Sequence, residues 1–413
     1  MLGPMTFDQK LATYADLIAQ VGLNLQAGQQ LMAIAPIEAS PLLKKVAQSA
    51  YARGVRYVHP FYNDDALTLA RYRYAPRDSF DFFPEWQVRG MLEMIEQNGA
   101  RLSVTGNDPD LLSGQDSEAI ATAQKVGAKA MQPLMRKFMN DEASWCVVAT
   151  ATPAWAAKVF PDAPEGEQVS LLWDAIFRAV RADREDAVEA WQDHLKELKV
   201  RCDYLNERRY SALHYRAPGT DLLLGLAEGH VWLGGGKDNA AGTHFVPNLP
   251  TEEVFTAPHR ARVEGTVSSS KPLSYSGQLI EDFTLTFREG RVVDVKAARG
   301  EDALKRLLET DEGATRLGEA ALVPHSSPIS QSGLLFYNTL FDENAASHLA
   351  LGKAYSVNVA GGAAMGENEA QAVGLNDSLT HVDFMIGSAE MEIMGVDKDG
   401  KEEAVMQSGE WAF

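Results

Sequence analysis

The segment QLMAIA at residues 30–35 is a short apolar run that follows Gly28, a pattern typical of a buried β-strand. The residues from Ala39 to Arg53 have helical periodicity, and Gly54 ends the predicted helix. The next predicted strand is the run from Val55 to Pro60. A strand, a helix and a second strand in this order favour a parallel sheet.

The same alternation continues on both sides of this segment. A helix is predicted from Phe7 to Val21, and further strands at 101–106 and 144–149 are separated by a helix at 116–137. Two successive helices, 167–182 and 184–207, complete this part of the chain. Strands separated by helices of this length predict a parallel sheet with helices on both faces.

The pattern changes near residue 210. Short strands are predicted at 211–215 and 221–226, and period-two alternation around Glu289-Gly290 predicts a hairpin. A chain of 413 residues is also longer than a single hydrophobic core usually supports. We therefore predict an N-terminal α/β domain at residues 1–208 and a β-rich α+β domain at residues 209–413.

Composition excludes several classes of partner. The formal net charge is −19, which argues against binding to nucleic acid or to an anionic membrane, since phosphate contacts need Lys and Arg. The two cysteines, Cys146 and Cys202, form no disulfide framework, which suits a reducing compartment. The first residues lack a basic segment followed by an apolar core, so no signal peptide is expected and the predicted location is cytoplasmic.

Candidate chemistry is concentrated in the second half, which holds seven of the nine histidines. Glu252 and Glu253 are adjacent, Glu319 precedes an apolar run, and His348 ends the segment DENAASH. His381 and Asp383 are two residues apart on a predicted strand, so their side chains point to the same side.

Carboxylates combined with imidazoles can hold a pair of divalent cations, with one carboxylate bridging the two ions. Imidazole ligands favour Zn, Co or Mn over Mg or Ca. Other interpretations remain open for the single residues. Glu252 and Glu253 also fit the acidic first turn of a helix, Glu319 fits a cap, and His348 fits a buried helical histidine.

Together these segments resemble the M29 family of metallo-aminopeptidases, the thermophilic metalloprotease family of aminopeptidases T and S. The resemblance is carried by PTEEVFTAP at 250–258, DENAASH at 342–348 and HVDFM at 381–385. It extends from the α/β half to the end of the last of these segments.

The resemblance implies an aminopeptidase that removes N-terminal residues from peptides with a metal-activated water. It also implies a homodimer, a C-terminal catalytic domain and two divalent metal ions per subunit. Carried over by motif, the metal ligands are Glu253, Glu319, His348, His381 and Asp383. Glu253 and Tyr355 are the expected catalytic residues.

Further roles are hypotheses. Tyr355 follows His348 by seven residues, which on a helix brings both to one face, and it is expected to donate a hydrogen bond to the oxyanion. Glu343 and Asn344 are expected to orient His348. Two alternatives to an aminopeptidase stay open: a two-metal hydrolase of a non-peptide bond, and a non-catalytic protein whose binding depends on metal.

Overall fold

The structure is a computed structural model and describes residues 4–275 and 278–413. Its α-helices are α1 (Phe7–Leu17), α2 (Ser40–Ala52), α3 (Asp65–Tyr74), α4 (Glu85–Glu96), α5 (Ser117–Met139), α6 (Pro153–Val159), α7 (Glu165–Ala179), α8 (Ala187–Arg208), α9 (Glu301–Leu308), α10 (Pro328–Ser332), α11 (Thr339–Asp342) and α12 (Glu367–Ala372).

The strands are β1 (Gln30–Pro36), β2 (Tyr57–Asn63), β3 (Gly99–Thr105), β4 (Trp145–Ala149), β5 (Ala212–Ala217), β6 (Thr220–Leu226), β7 (Leu233–Gly234), β8 (Lys237–Asp238), β9 (His244–Phe245), β10 (Val254–Thr256), β11 (Pro258–Ser268), β12 (Leu273–Tyr275), β13 (Gln278–Arg288), β14 (Arg291–Arg299), β15 (Leu317–Leu322), β16 (His348–Gly352), β17 (His381–Met385), β18 (Glu392–Val396), β19 (Glu402–Gln407) and β20 (Glu410–Trp411). Single turns of 3₁₀ helix include Gly313–Thr315, Glu343–Ala345 and Ser356–Asn358.

The chain divides into two compact units. The first contains Met1–Leu195 and Gly236–Pro250, and the second contains Lys196–Gly235 and Thr251–Phe413. The sequence-based prediction placed a single boundary at residue 208, whereas this division falls inside α8 and returns one later segment to the first unit.

The first unit has the predicted parallel sheet, in the order β2-β1-β3-β4. The apolar run at residues 30–35 is β1, which pairs with a parallel neighbour on each side. Leu31, Met32 and Ala33 are fully buried there, which explains why the strand is continuously apolar. Helices flank the sheet, so the predicted fold class of this half is confirmed.

The second unit contains two larger sheets. One has five strands in the order β17-β16-β15-β10-β7, and the other has nine, with β5, β6, β11 and β13 at its centre. The hairpin predicted around Glu289-Gly290 is β13 and β14, which pair antiparallel. Residues of both sheets contribute to one hydrophobic cluster, including Leu224, Phe283 and Leu351. The β-rich prediction for this half is therefore confirmed.

Within the described residues, no helix combines the length and the apolar character that crossing a lipid bilayer requires.

Candidate metal centre

The candidate ligands lie on, or directly before, four neighbouring strands of the five-stranded sheet. Glu253 immediately precedes β10, Glu319 lies on β15, His348 begins β16, and β17 carries His381 and Asp383. In the antiparallel register Glu319 faces Ala350 on the next strand, and Ala350 in turn faces Asp383. Residues that are 130 positions apart in sequence are thus brought onto one surface by strand pairing.

A β-bulge in β15 directs Glu319 toward this surface. Leu317 pairs with Leu351 and Glu319 pairs with Ala350, so two steps along β15 match one step along β16. Leu317 is fully buried in the hydrophobic cluster. In a regular strand Glu319 would point to the same side as Leu317, and the extra residue, Gly318, turns it to the other side.

The five side chains form two groups that share one carboxylate. Ligand atoms of Glu253, Glu319 and His348 lie within 4.8 Å of one another, and so do those of Glu319, His381 and Asp383. The Nε2 atom of His348 is 3.1 Å from Glu253 and 3.5 Å from Glu319. The Nε2 atom of His381 is 3.9 Å from Glu319 and 3.4 Å from Asp383.

Backbone carbonyls fix the orientation of both imidazoles. The Nδ1 atom of His348 is 3.0 Å from the carbonyl oxygen of Ala346, and that of His381 is 2.7 Å from the carbonyl oxygen of Lys353. A carbonyl can only accept, so Nδ1 of each ring carries the proton and donates it. In the neutral imidazoles the Nε2 lone pairs are therefore directed at the carboxylates.

This arrangement fits divalent cations. Oε2 of Glu253 and Oδ1 of Asp383 are buried and have no hydrogen-bond partner among the described residues. Buried carboxylate oxygens that face the lone pairs of imidazoles repel each other unless a positive charge lies between them. Carboxylate and imidazole donors together are ligands that Zn, Co and Mn accept.

The protonation equilibria show the same need for positive charge. Burial is the main cause that raises the pKa of Glu319 to about 7, and the carboxylates of Asp383 and Glu253 add to it. Burial acts to lower the pKa of His381, but the nearby carboxylate of Asp383 outweighs it and raises the pKa to about 9. Without cations the site thus retains protons, and ligands release such protons when a metal binds.

Tyr355 lies next to the same centre. The centroid of its ring is 4.7 Å from that of His381, and its side chain is partly exposed. Loss of solvation, followed by the negative charges of Glu319 and Asp383, raises the pKa of the phenol above its usual value. The hydroxyl therefore stays protonated and available as a donor at neutral pH.

The structure corrects the local structure predicted for several of these residues. His348 begins the fully buried strand β16. Tyr355 lies after the end of this strand and directly precedes a 3₁₀ turn, so the two residues do not share a helix. Glu252 and Glu253 precede a strand, and the alternative of a helical first turn is wrong. The strand predicted for His381 and Asp383 is confirmed as β17.

Glu343 and Asn344 were expected to orient His348, and the structure gives them other contacts. Ala346, through its carbonyl group, orients His348, whereas Oδ1 of Asn344 accepts a hydrogen bond of 2.7 Å from the backbone N–H of Glu252. Asn344 thus holds the backbone beside Glu253. Burial, then the charges of Glu253 and Asp383, raise the pKa of Glu343 well above its usual value, so its carboxyl group belongs to the same electrostatic cluster.

Gly318 supports the candidate site and was not identified from the sequence, although a glycine within a strand is itself a signal of a bulge. A Cβ atom at this residue would lie 2.3 Å from the carbonyl oxygen of Lys353, the group that accepts from His381. This distance is far shorter than van der Waals contact, and the clashing atom belongs to the backbone. A side chain at position 318 would therefore displace the carbonyl group that orients His381.

We expect Gly318→Ala to lower kcat/KM by about 10- to 100-fold, the usual cost of disturbing a group that orients a metal ligand. Overpacking should also reduce the free energy of unfolding by about 1–3 kcal/mol, measured by denaturant unfolding. Gly90→Ala in α4 is the matched control, since no atom lies within 4 Å of a Cβ there. It should stabilise the helix by about 0.5–1 kcal/mol. A Gly318→Ala enzyme with wild-type kcat/KM would contradict the role of the bulge.

Comparison with known proteins, like the geometry of the site, indicates a metal-dependent enzyme. Residues 7–411 match the model of the family described as thermophilic metalloprotease (M29). Aminopeptidase 2 of Geobacillus stearothermophilus is 49% identical, with 98% of each chain covered. Aminopeptidase T of Thermus thermophilus is 47% identical, over 98% of this chain and 99% of the relative. The solved structure of wild-type AmpT from Thermus thermophilus superposes with a TM-score of 0.93 over 99% of this chain and 100% of that one, at 45% identity.

Proposed function

Since the chain belongs to the M29 family of thermophilic metalloproteases and is a metal-dependent aminopeptidase, we propose that its active site is the centre described above. The proposed metal ligands are Glu253, Glu319, His348, His381 and Asp383, and the proposed catalytic residues are Glu253 and Tyr355. The observation that carries this proposal is the pair of buried, unpartnered carboxylate oxygens facing two imidazole nitrogens.

We propose two divalent cations per subunit, zinc, cobalt or manganese. Two groups of three ligands share Glu319, and a shared carboxylate is the usual bridge between two metals about 3.5–4 Å apart. Bound cations supply a Lewis acid that polarises the scissile carbonyl and acidifies water. The geometry of the two triads supports this number, and the mixture of donors supports these elements.

The residues of this chain have separate tasks in the proposed mechanism. Ala346 and Lys353, through their carbonyl groups, keep the Nε2 atoms of the two imidazoles turned toward the centre. Tyr355 donates a hydrogen bond from its hydroxyl group to the oxygen of the peptide carbonyl as negative charge develops there. Glu343 lies beside the same centre, where burial and then the charges of Glu253 and Asp383 raise the pKa of its carboxyl group above the usual value.

Removal and replacement of metal tests this function. Dialysis against a chelator should abolish hydrolysis of leucyl and arginyl p-nitroanilides, and adding Zn, Co or Mn singly should restore it. Metal analysis of the restored protein should give two ions per chain. Full activity in the metal-free protein would contradict the mechanism, and saturation of activity by one ion would contradict the two-metal centre.

Three further assignments are part of the same proposal. Residues 1–208 are proposed as the N-terminal α/β domain and residues 209–413 as the catalytic domain. The substrates are peptides, as expected of an aminopeptidase. A cytoplasmic location is proposed because Cys146 and Cys202 are both free and buried, which suits a reducing compartment.

We also propose that the protein is a homodimer that uses an apolar surface of the first unit. Strand β2 is at the edge of its sheet, and α3 has no buried residue. Several large apolar side chains are exposed on this unit, among them Leu67, Tyr74, Phe82 and Trp86, at 62–83% of their full exposure. Contiguous exposed apolar side chains mark protein–protein interfaces, and we propose that these side chains form such a patch.

The double variant Tyr74→Glu/Trp86→Glu tests the dimer. We expect sedimentation equilibrium to give twice the chain mass for the wild type and a single chain mass for the variant, because charges at an apolar interface lose their hydration on association. Leu379→Glu is the control, since Leu379 is an exposed leucine of the second unit. A dimeric double variant would exclude this surface as the interface, and a monomeric wild type would exclude the dimer.

A further inference from the structure

An asparagine on the loop before β17 joins three segments of the second unit. Asn376 is 3% exposed, and its Nδ2 donates to the carbonyl oxygens of Gly313 at 2.8 Å and Gly352 at 2.6 Å. Its own backbone carbonyl accepts from the N–H of Ala354 at 2.8 Å. This one buried residue therefore connects a 3₁₀ turn, the end of β16 and the loop that leads to His381.

The neighbours of the amide group determine its orientation. Gly313 and Gly352 both present carbonyl oxygens, which only accept, so the NH₂ group and not Oδ1 has to face them. Oδ1 is buried and has no hydrogen-bond partner in the part of the chain that the structure describes. A buried oxygen without a partner costs free energy of folding. The side chain is thus placed for its two donors, and an ionised aspartate, which only accepts, could not replace it.

The contacts that Asn376 makes near β16 lie on either side of Lys353. The residues directly before and directly after Lys353 are the two that Asn376 holds there. The backbone N–H of Lys353 also donates to the carbonyl oxygen of Thr380 at 2.7 Å. Lys353 in turn accepts a hydrogen bond from Nδ1 of His381. The acceptor that orients His381 is therefore fixed by the same loop that ends at His381.

The other imidazole of the centre has separate support. His348 donates from Nδ1 to the carbonyl oxygen of Ala346 at 3.0 Å, and Ala346 lies between α11 and β16. Within the described structure, the hydrogen bonds of Asn376 involve other segments. A displacement of Lys353 should therefore disturb the group of ligands that contains His381 and leave the group that contains His348 intact.

We propose that Asn376 is a positioning residue of the metal centre and sets the affinity for the one metal ion that His381 binds. The inference rests on the proposed function of that centre. Asn376 acts through Lys353, whose carbonyl group keeps Nε2 of His381 turned toward the carboxylates. Groups that orient a metal-bound imidazole typically account for about 10- to 100-fold in metal affinity.

Asn376→Ala and Asn206→Ala form a matched pair for the test. Asn206 also lies in the second unit and also holds backbone with its amide: Nδ2 donates to the carbonyl oxygen of Trp232 at 3.0 Å, and Oδ1 accepts from the N–H of Trp232 at 2.8 Å. Each variant loses two hydrogen bonds of this kind. The midpoint of thermal unfolding of the metal-free protein should therefore decrease in both.

The affinity for each of the two ions distinguishes the variants. It is measured by calorimetric titration of the metal-free, full-length protein with cobalt. Asn206→Ala should bind two ions with the wild-type constants, whereas Asn376→Ala should bind one ion about 10- to 100-fold more weakly and the other unchanged. Wild-type constants in Asn376→Ala, equal weakening of both of its binding steps, or the same weakening in Asn206→Ala would overturn the proposal.

A second variant keeps the test decisive if Asn376→Ala does not fold. Asn376→Ser retains one hydroxyl donor in place of the two donors of the amide, so the same binding step should be weakened. Wild-type constants for both steps would overturn the assignment. Failure of the proposed function has a different signature: the wild-type protein would then bind fewer than two ions or, once loaded, would not hydrolyse leucyl p-nitroanilide. The inference would be overturned with it.

Discussion

Replacing Glu319 by glutamine is expected to reduce kcat/KM by at least about 10³-fold, well beyond the 10- to 100-fold cost of losing a group that merely supports a ligand. Glu319 is the residue that both groups of candidate ligands share. An amide has one acceptor oxygen and no charge, so it cannot bridge two cations. Metal analysis should therefore show a decrease from two ions per chain to one or none.

Comparison with Glu253→Gln makes this test more specific. Glu253 belongs to one group of ligands only, so that variant should lose one ion and keep the other. Glu390→Gln is the control for the substitution itself, since Glu390 is an exposed glutamate of the same unit. The bridging assignment would be wrong if Glu319→Gln retained two ions and more than about a tenth of the wild-type kcat/KM. A loss of activity of less than about tenfold is smaller than the loss expected even for a group that only supports a metal ligand.

Tyr355→Phe is expected to lower kcat by about 10²- to 10³-fold and to leave KM nearly unchanged, as the loss of one oxyanion donor does in other hydrolases. Phenylalanine keeps the ring that packs beside His381 and removes only the hydroxyl group. The separation of kcat from KM distinguishes a donor that acts in the transition state from a residue that binds the substrate equally throughout.

Two controls accompany this variant. Its metal content should equal that of the wild type, because the phenol is not among the proposed ligands. Tyr74→Phe should have full activity, since Tyr74 belongs to the first unit and phenylalanine keeps the aromatic ring at the proposed interface. A Tyr355→Phe enzyme with wild-type kcat would show that the oxyanion is stabilised by other groups.

The parts of the fold that follow from local pattern were predictable. The apolar run at residues 30–35 is β1, and the pair His381 and Asp383 lies on a strand, because period-two spacing is a property of a few neighbouring residues. For His348 a helix was one possible interpretation, and a short apolar run such as HLALG fits a buried helix and a buried strand equally well. Its pairing with β15 on one side and β17 on the other decides the matter, and that pairing depends on distant segments.

The residue types of the candidate site were predictable from the sequence, but the hydrogen bonds that hold these residues in place were not. The family resemblance indicated Glu253 in preference to Glu252, and the structure places Glu253 in the cluster. The hydrogen bond from Glu252 to Asn344 and the acceptor role of Lys353 join residues that are 92 and 28 positions apart. No local pattern encodes such contacts.

The backbone carbonyl groups that accept hydrogen bonds from the two imidazoles have a consequence for protein design. Because main-chain atoms hold both rings, the orientation of the two imidazoles is a property of backbone geometry and not of particular neighbouring side chains. A centre of this kind is transferable: three antiparallel strands with the register of β15, β16 and β17, and a glycine bulge in the first, would present most of the ligands on a new scaffold. It also leaves the surrounding side chains free to be varied in order to change which metal is preferred.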